Sequence, residues 1–276
     1  MEFTKMHGLG NDFLVFEDDG SVRDWNAVAE KLCTRRLNVG GDGILIVLPS
    51  KIADIRMRII NADGSEAEMC GNGIRCFAKY VFERGIVKKP DMVVETLAGI
   101  IRPKLLIEDG NVTDVCVDMG KPSFDRLHIP MKGEGSPFDV DIEAAGRKLR
   151  ISSMLMGVPH TMVLTDDIGS LDASMLGPAI ERHEIFPRKT NVNFVQVLDN
   201  ENIKVLTWER GAGLTLACGT GSCASAVATY KKGLTGPKVT VHLSVGRLII
   251  ESLSDRRVLM TGPAEEVFTA TLREPM

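Results

Sequence analysis

Two stretches of the chain, EMCGNGIRC at 68–76 and LACGTGSCA at 216–224, place a cysteine directly ahead of Gly-x-Gly where a helix begins. Cys70 to Gly85 and Cys218 to Gly233 span the same number of residues, so each cysteine lies equally far ahead of a helix-ending glycine. Each is also preceded by a strand and a glycine-containing turn, NADGSEAEM in one case and ERGAGLTLA in the other. A repeat near half the chain length is too long for a solenoid and predicts two copies of one domain. The junction falls near DMGKPSFDRL. The expected domains are residues 1–118, completed by a C-terminal strand at 263–276, and residues 119–262.

Short strands dominate what surrounds the repeat, which predicts an α+β fold. FTKMH and DFLVFE read as strands joined by a turn at His7–Gly10, followed by a helix over DWNAVAEKLCTRR. GILIVLP is a buried strand, and DIRMRIIN alternates apolar Ile55, Met57 and Ile59 with Arg56 and Arg58. GIRCFAKYVFERG reads as a helix ending at Gly85, and MVVETL, IIRPKLLI and VTDVCVDM as strands. The second half follows with strands at FDVDI, RKLRISS and TMVLT and a helix near DASMLGPAIERH. Strands NVNFVQVL and NIKVLTWE, the helix GTGSCASAVATYKKG, and four closing strands complete it.

The bulk properties narrow the function. A hydrophobic share of 44%, a charged share of 25% and a net charge of −4 belong to a globular protein with no basic patch or acidic tail. They give no support for nucleic-acid or membrane-surface binding. No apolar run approaches the roughly 18 residues of a membrane span. The start MEFTKMHGLGNDF has no signal-peptide core, so a cytoplasmic protein with reduced thiols is expected. No cysteine pair has zinc-ligand spacing, and no metal is expected. GLGNDF carries Phe13 where a dinucleotide fingerprint needs its third glycine, and neither Gly-x-Gly runs on into a P-loop.

A thiol at a helix N-terminus meets the positive end of the macrodipole and unpaired N–H groups. Its pKa can fall from about 8.5 to about 3.5–7.5 there. The glycines let backbone donors approach an anionic ligand. Two such sites suit inversion of an amino-acid α-carbon: one sulfur removes the proton from one face and the other delivers to the opposite face. Charge building on the α-carboxylate is met by the converging N–H groups. The pair should titrate together, one sulfur charged and one protonated. Cys33, Cys76, Cys116 and Cys223 lack the duplicated setting and are read as small core residues. A cysteine hydrolase with His160 as base would leave the second cysteine without a task.

KMHGLGNDF, NADGSEAEMCGNGIRC, GVPH, TNVNFVQV and ERGAGLTLACGTGSCA, in this order, resemble the diaminopimelate epimerase family. The resemblance implies a cofactor-independent enzyme that interconverts LL- and meso-diaminopimelate for lysine and cell-wall synthesis. It implies two pseudo-symmetric domains, each a curved, mostly antiparallel sheet wrapped around a central helix, with the active site in the cleft between them. Homodimers are common in the family. Carried over by motif, Cys70 and Cys218 are the acid/base pair. Backbone groups of Gly71, Asn72, Gly219 and Thr220 hold the reacting carboxylate. Asn11, Asn61, Asn191, Glu209 and Arg210 contact the rest of the substrate, while His160 and Glu209 set thiol pKa values. The residue types suit this, since Arg210 can bind a carboxylate bidentately and Glu209 can pair with an ammonium. Three positions depart from the family pattern. Val158 replaces an asparagine, Gly43 a glutamine and Leu214 a glutamate. The chemistry also admits a related two-cysteine racemase of proline, hydroxyproline or histidine, or a non-catalytic amino-acid-binding module.

Overall fold

In a computed structural model, which describes residues 1–22 and 24–273, the chain is α+β and divides into two compact units. One comprises Met1–Asp118 with Thr261–Met276, the other Met119–Met260. Residues 274–276 of the expected closing segment lie outside the described residues.

The first unit begins with β1 (Glu2–Gly8) and β2 (Asn11–Glu17). Their turn is tighter than His7–Gly10 predicted, because Gly8 already pairs with Asn11 and only Leu9 and Gly10 lie between them. Both have positive φ, 57° and 84°, the geometry of a two-residue hairpin turn whose twist matches the strands. Asn11 leaves this turn as the first residue of β2. Helix α1 (Trp25–Leu32) starts where Asp24 accepts hydrogen bonds from the Asn26 and Ala27 N–H groups. It stops short of the predicted Arg36. Next come β3 (Gly43–Leu48), β4 (Ile55–Asn61) and the two-residue β5 (Glu66–Ala67). On β4 the predicted alternation holds: Ile55, Met57 and Ile59 are buried, while Arg56 is exposed.

Helix α2 (Gly71–Glu83) begins two residues before the expected Gly73, because Cys70 caps it. Its end is as predicted. Gly85 has φ +69°, its N–H reaches the Phe82 carbonyl, and the Ile86 N–H reaches that of Val81. The run IIRPKLLI is two strands rather than one, β7 (Gly99–Ile101) and β8 (Lys104–Glu108), broken where Pro103 removes a donor. Strands β6 (Val94–Thr96) and β9 (Asn111–Asp118) complete this part.

The second unit contains β10 (Val140–Ala144), β11 (Arg147–Met156), β12 (Val158–Leu164), α3 (Ala173–Glu181), β13 (Asn191–Val197) and β14 (Asn202–Glu209). Then come β15 (Gly213–Thr215), α4 (Gly219–Lys231), β16 (Lys238–Leu243), β17 (Gly246–Ser252) and β18 (Val258–Gly262), whose last two residues already count with the first unit. After β18 the chain returns to the first unit as β19 (Glu265–Thr271).

The order within each sheet repeats. The first unit runs β19-β1-β2-β3-β4-β6-β7, with β2–β3 and β4–β6 parallel. The second contains β11-β12-β13-β14-β16-β17, with β12–β13 and β14–β16 parallel. The short β5 and β15 hang off β4 and β14 in the same way. Each parallel step follows a longer connection, as a crossover requires.

Helix α2 packs on β1, β2, β3, β9 and β19 of its own unit. Arg75, fully buried on it, donates to the Gly71 carbonyl and to the carbonyl of Pro263 on the returning segment. Helix α4 packs on β11 to β14, β16 and β17. It is buried on every side from Gly221 to Thr229, a run of small residues that lets strands come close all round. Its buried hydroxyls bond back to the helix: Ser222 to the Cys218 carbonyl at 2.8 Å and Ser225 to that of Gly221 at 2.7 Å.

Candidate active site

Cys70 and Cys218 occupy the same place in their units. Each is the N-cap of a 13-residue helix, with extended backbone at φ −141°, ψ 122° and φ −125°, ψ 111°. The Cys70 and Cys218 carbonyls accept the N–H groups of Ile74 and Ser222 at 2.8 and 2.9 Å. Gly71 and Asn72, like Gly219 and Thr220, fall in a first helical turn, whose N–H groups have no carbonyl within the helix to bond.

In the first unit the Cys70 sulfur accepts the Gly73 N–H at 3.4 Å and lies 3.6 Å from Asn11 Oδ1. Asn11 Oδ1 also accepts from Asn72 Nδ2 at 3.0 Å. The other end of the Asn11 amide donates to Asp42 Oδ2 at 2.7 Å, which also takes the Asp12 N–H at 3.0 Å. Behind them Arg35 bridges Asp12 and Asp42, and Lys5 pairs with Asp12 at 2.6 Å. Burial opposes ionisation of Asp12, but the hydrogen bonds and charges of Arg35 and Lys5 outweigh it and hold its pKa at about 2. This charged cluster fixes which end of the Asn11 amide faces the sulfur. Asn61 Nδ2 donates to Ser65 Oγ at 2.9 Å in the turn between β4 and β5.

In the second unit Cys218 is 5% exposed and its sulfur lies 3.5 Å from Thr220 Oγ1. A helix start predicts a lowered thiol pKa, and the structure reverses it. Burial, then the negative charge of Glu209, pushes Cys218 up to about 12, so this sulfur is a protonated thiol at neutral pH. The Thr220 hydroxyl and the Gly221 N–H pull the other way and lose. Glu209 is the charge that acts on this thiol. His160 is fully buried, and burial together with the Arg210 charge lowers its pKa to about 3. It is a neutral imidazole and brings no charge to the thiol.

Asn191 is 6% exposed and its amide is engaged at both ends. Nδ2 donates to the Pro159 carbonyl at 3.1 Å, and Oδ1 accepts the Arg210 N–H at 2.8 Å. The Arg210 guanidinium donates to the Arg188 carbonyl at 2.8 Å. Asn191 therefore holds the Arg210 backbone in place.

The three departures lie at different points. Val158 opens β12, is 37% exposed and follows Gly157, where an added Cβ would stand 3.7 Å from the Thr220 side chain. Gly43 faces Asn61 across β3–β4, where a Cβ would stand 2.6 Å from the Ile60 carbonyl oxygen. The backbones are closer there than a glutamine allows. Leu214 pairs with Trp208 on β15 and is 45% exposed.

The profile of the diaminopimelate epimerase family matches residues 3–125 and 152–267. The chain belongs to the diaminopimelate epimerase family. It is 53% identical over 269 residues to a diaminopimelate epimerase of Caldanaerobacter subterraneus subsp. tengcongensis, covering 97% of this chain and 98% of the relative. Among solved structures it resembles a PhzF-family phenazine biosynthesis protein of Bacillus anthracis, with a TM-score of 0.71 at 18% identity, covering 98% of both chains. It also resembles a probable proline racemase of Agrobacterium radiobacter K84 with bound carbonate. That TM-score is 0.67 at 18% identity, covering 98% of this chain and 92% of the other. These two likenesses bear on the fold. As a member of this family the protein is an isomerase.

Three residues around the cysteines escaped the sequence reading: Arg35, Asp42 and Asn193. Asn193 had a signal, a second asparagine two positions after Asn191 and on the same face of an otherwise apolar strand. Arg35 and Asp42 had none, because Asn11 and Asp12, which they bond, lie 23 to 31 residues away along the chain.

Proposed function

We propose that this chain interconverts LL- and meso-diaminopimelate, with Cys70 and Cys218 as the acid/base pair. The observation that carries the reading is a cysteine N-cap repeated at the start of both 13-residue helices, in a chain of this family. Cys218, which burial and Glu209 keep protonated, is the proton donor of the resting enzyme. Cys70, once the S–H proton that faces Asn11 Oδ1 has left to solvent, takes the α-hydrogen as a thiolate, and the electron pair of the broken C–H bond delocalises into the α-carboxylate. The N–H groups of Gly71, Asn72, Gly219 and Thr220 stabilise that charge. Cys218 then delivers its proton to the opposite face, leaving the enzyme with its two protonation states exchanged. Asn11, Asn61, Glu209 and Arg210 bind the remaining groups, Arg210 on the distal carboxylate, with Asn191 holding its backbone. No cofactor enters this scheme.

Turnover of LL-diaminopimelate in heavy water tests it. The meso product should carry deuterium at the inverted carbon from the first turnover, while the remaining LL substrate stays unlabelled at early times. Product that retains the original α-hydrogen would rule out two separate acid/base groups. Exchange of proline, hydroxyproline or histidine, with diaminopimelate left untouched, would instead favour a neighbouring racemase activity.

A further inference from the structure

Behind the start of α4 runs a hydrogen-bonded chain of buried side chains. Thr207 Oγ1, 2% exposed, donates to Asn193 Oδ1 at 3.0 Å, and the two residues face each other across β13–β14. Asn193 Nδ2 lies 3.1 Å from His160 Nδ1 and 4.0 Å from the Met162 thioether. Both His160 and Asn193 are fully buried. His160 Nε2 is buried and has no hydrogen-bond partner among the described residues. The chain also forms the floor under the catalytic helix start. A Cβ on Gly221 would stand 2.4 Å from Asn193 Oδ1 and 3.2 Å from both the Cys218 sulfur and Thr207 Oγ1.

We propose that Asn193 is a positioning residue that locks His160 as its Nε2–H tautomer, presenting a buried N–H donor to an anionic group that forms or binds during turnover. In a neutral imidazole, the hydrogen bond made by one nitrogen decides which nitrogen carries the proton. The Met162 thioether selects the orientation of the Asn193 amide, and the Thr207 hydroxyl, which can donate or accept, adapts to it. A thioether can only accept, so it favours Nδ2 at the His160 end. The Thr207 hydroxyl finds its acceptor in Oδ1 at the other end. With Nδ2 donating to Nδ1, the ring proton sits on Nε2. A buried N–H without an acceptor is costly, and a carboxylate or thiolate would meet it. Neutrality of the ring is consistent with its burial.

This inference rests on the epimerase reading, but its primary test does not. Long-range ¹H–¹⁵N spectra of the ligand-free protein, with His160 assigned by comparison with His160→Gln, report the tautomer directly. Nε2–H is expected, and Nδ1–H in the native protein would overturn the proposal. Asn193→Asp places an acceptor opposite Nδ1 and should move the proton there. With diaminopimelate, its kcat should then fall about tenfold to a hundredfold, the size of one hydrogen bond to a charged group, with KM within about threefold. An unchanged tautomer in Asn193→Asp would also overturn the proposal. Should that variant fail to fold, the volume-conserving Met162→Leu frees the Asn193 amide to turn and should give both tautomers. A Met162→Leu spectrum showing only Nε2–H, with native kcat, would count against the orienting thioether. If the tautomer behaves as expected but diaminopimelate is not turned over, the substrate assignment fails and the tautomer lock stands.

Discussion

Gly73 and Gly221 sit three residues after their cysteines, and adding one methyl to each separates two environments that the sequence makes look alike. Alanine gains up to about 1 kcal/mol over glycine in a helix. At Gly73 the new Cβ would lie 3.3 Å from Leu45 Cδ2, 3.4 Å from Cys70 Cβ and 3.6 Å from Phe13 Cζ. Those are apolar atoms that yield by a few tenths of an ångström, so Gly73→Ala should stay within about 1 kcal/mol of the native stability. At Gly221 the methyl would meet Asn193 Oδ1 at 2.4 Å, an impossible approach to a side chain held at both ends. Overpacking costs about 1–3 kcal/mol, and a buried amide pushed off its partners about 1–3 kcal/mol more. Against the helix gain, Gly221→Ala should lose roughly 1–5 kcal/mol. The same methyl lies 3.2 Å from the Cys218 sulfur, and a sulfur displaced by a fraction of an ångström should lower kcat about tenfold or more. Urea midpoints read by circular dichroism, with epimerase assays on the folded variants, make the comparison. A Gly221→Ala protein as stable and as active as Gly73→Ala would refute the packing derived for the start of α4.

Cys70→Ala and Cys218→Ala should each abolish epimerisation with the fold retained, as followed by product analysis and circular dichroism. Cys76→Ala, at a fully buried position, should keep turnover and lose about 1 kcal/mol in denaturation. Val158→Asn should restore a polar group at the start of β12 and lower KM for diaminopimelate, with kcat little changed in steady-state assays. Stability should also carry the mark of His160. Its pKa is about 3 in the folded protein against an ordinary 6.5, so the unfolded chain binds a proton that the folded one refuses. That contribution is fully present above pH 6.5 and lost as pH falls toward 3, at up to about 1.4 kcal/mol per pH unit. Urea midpoints from pH 7 to 4 should fall less steeply in His160→Gln than in the native protein.

What the sequence made legible was whatever local rules decide. The C′ glycine at Gly85 and the alternation of Ile55, Met57 and Ile59 each depend on residues within one turn or one strand. The two-residue β5 and three-residue β15 are too short for any period to register, so both read as turns. The glycines at the starts of α2 and α4 have poor helix propensity and blur those boundaries in the sequence, although tertiary burial holds both turns in place. Asn11 was named only through the family motif. Its orientation was not legible, because that depends on Asp42 and Arg35, which sequence distance hides.

The thiol shows most clearly where reasoning from the chain alone stops. The position of Cys218 at a helix start was legible, and the rule attached to that position pointed to a lowered pKa. A helix macrodipole contributes about 0.3–1 kcal/mol to a nearby charge, less than one pKa unit at about 1.36 kcal/mol each. The upward shift of Cys218 is from 9.0 to about 12, several times larger and opposite in sign. It comes from strands packed around the small residues of α4 and from Glu209 at the end of β14, neither adjacent in sequence. The same burial keeps the sulfur protonated, the state that the proposed donor role of Cys218 requires, so the environment that overrode the local rule is the one that proposal rests on.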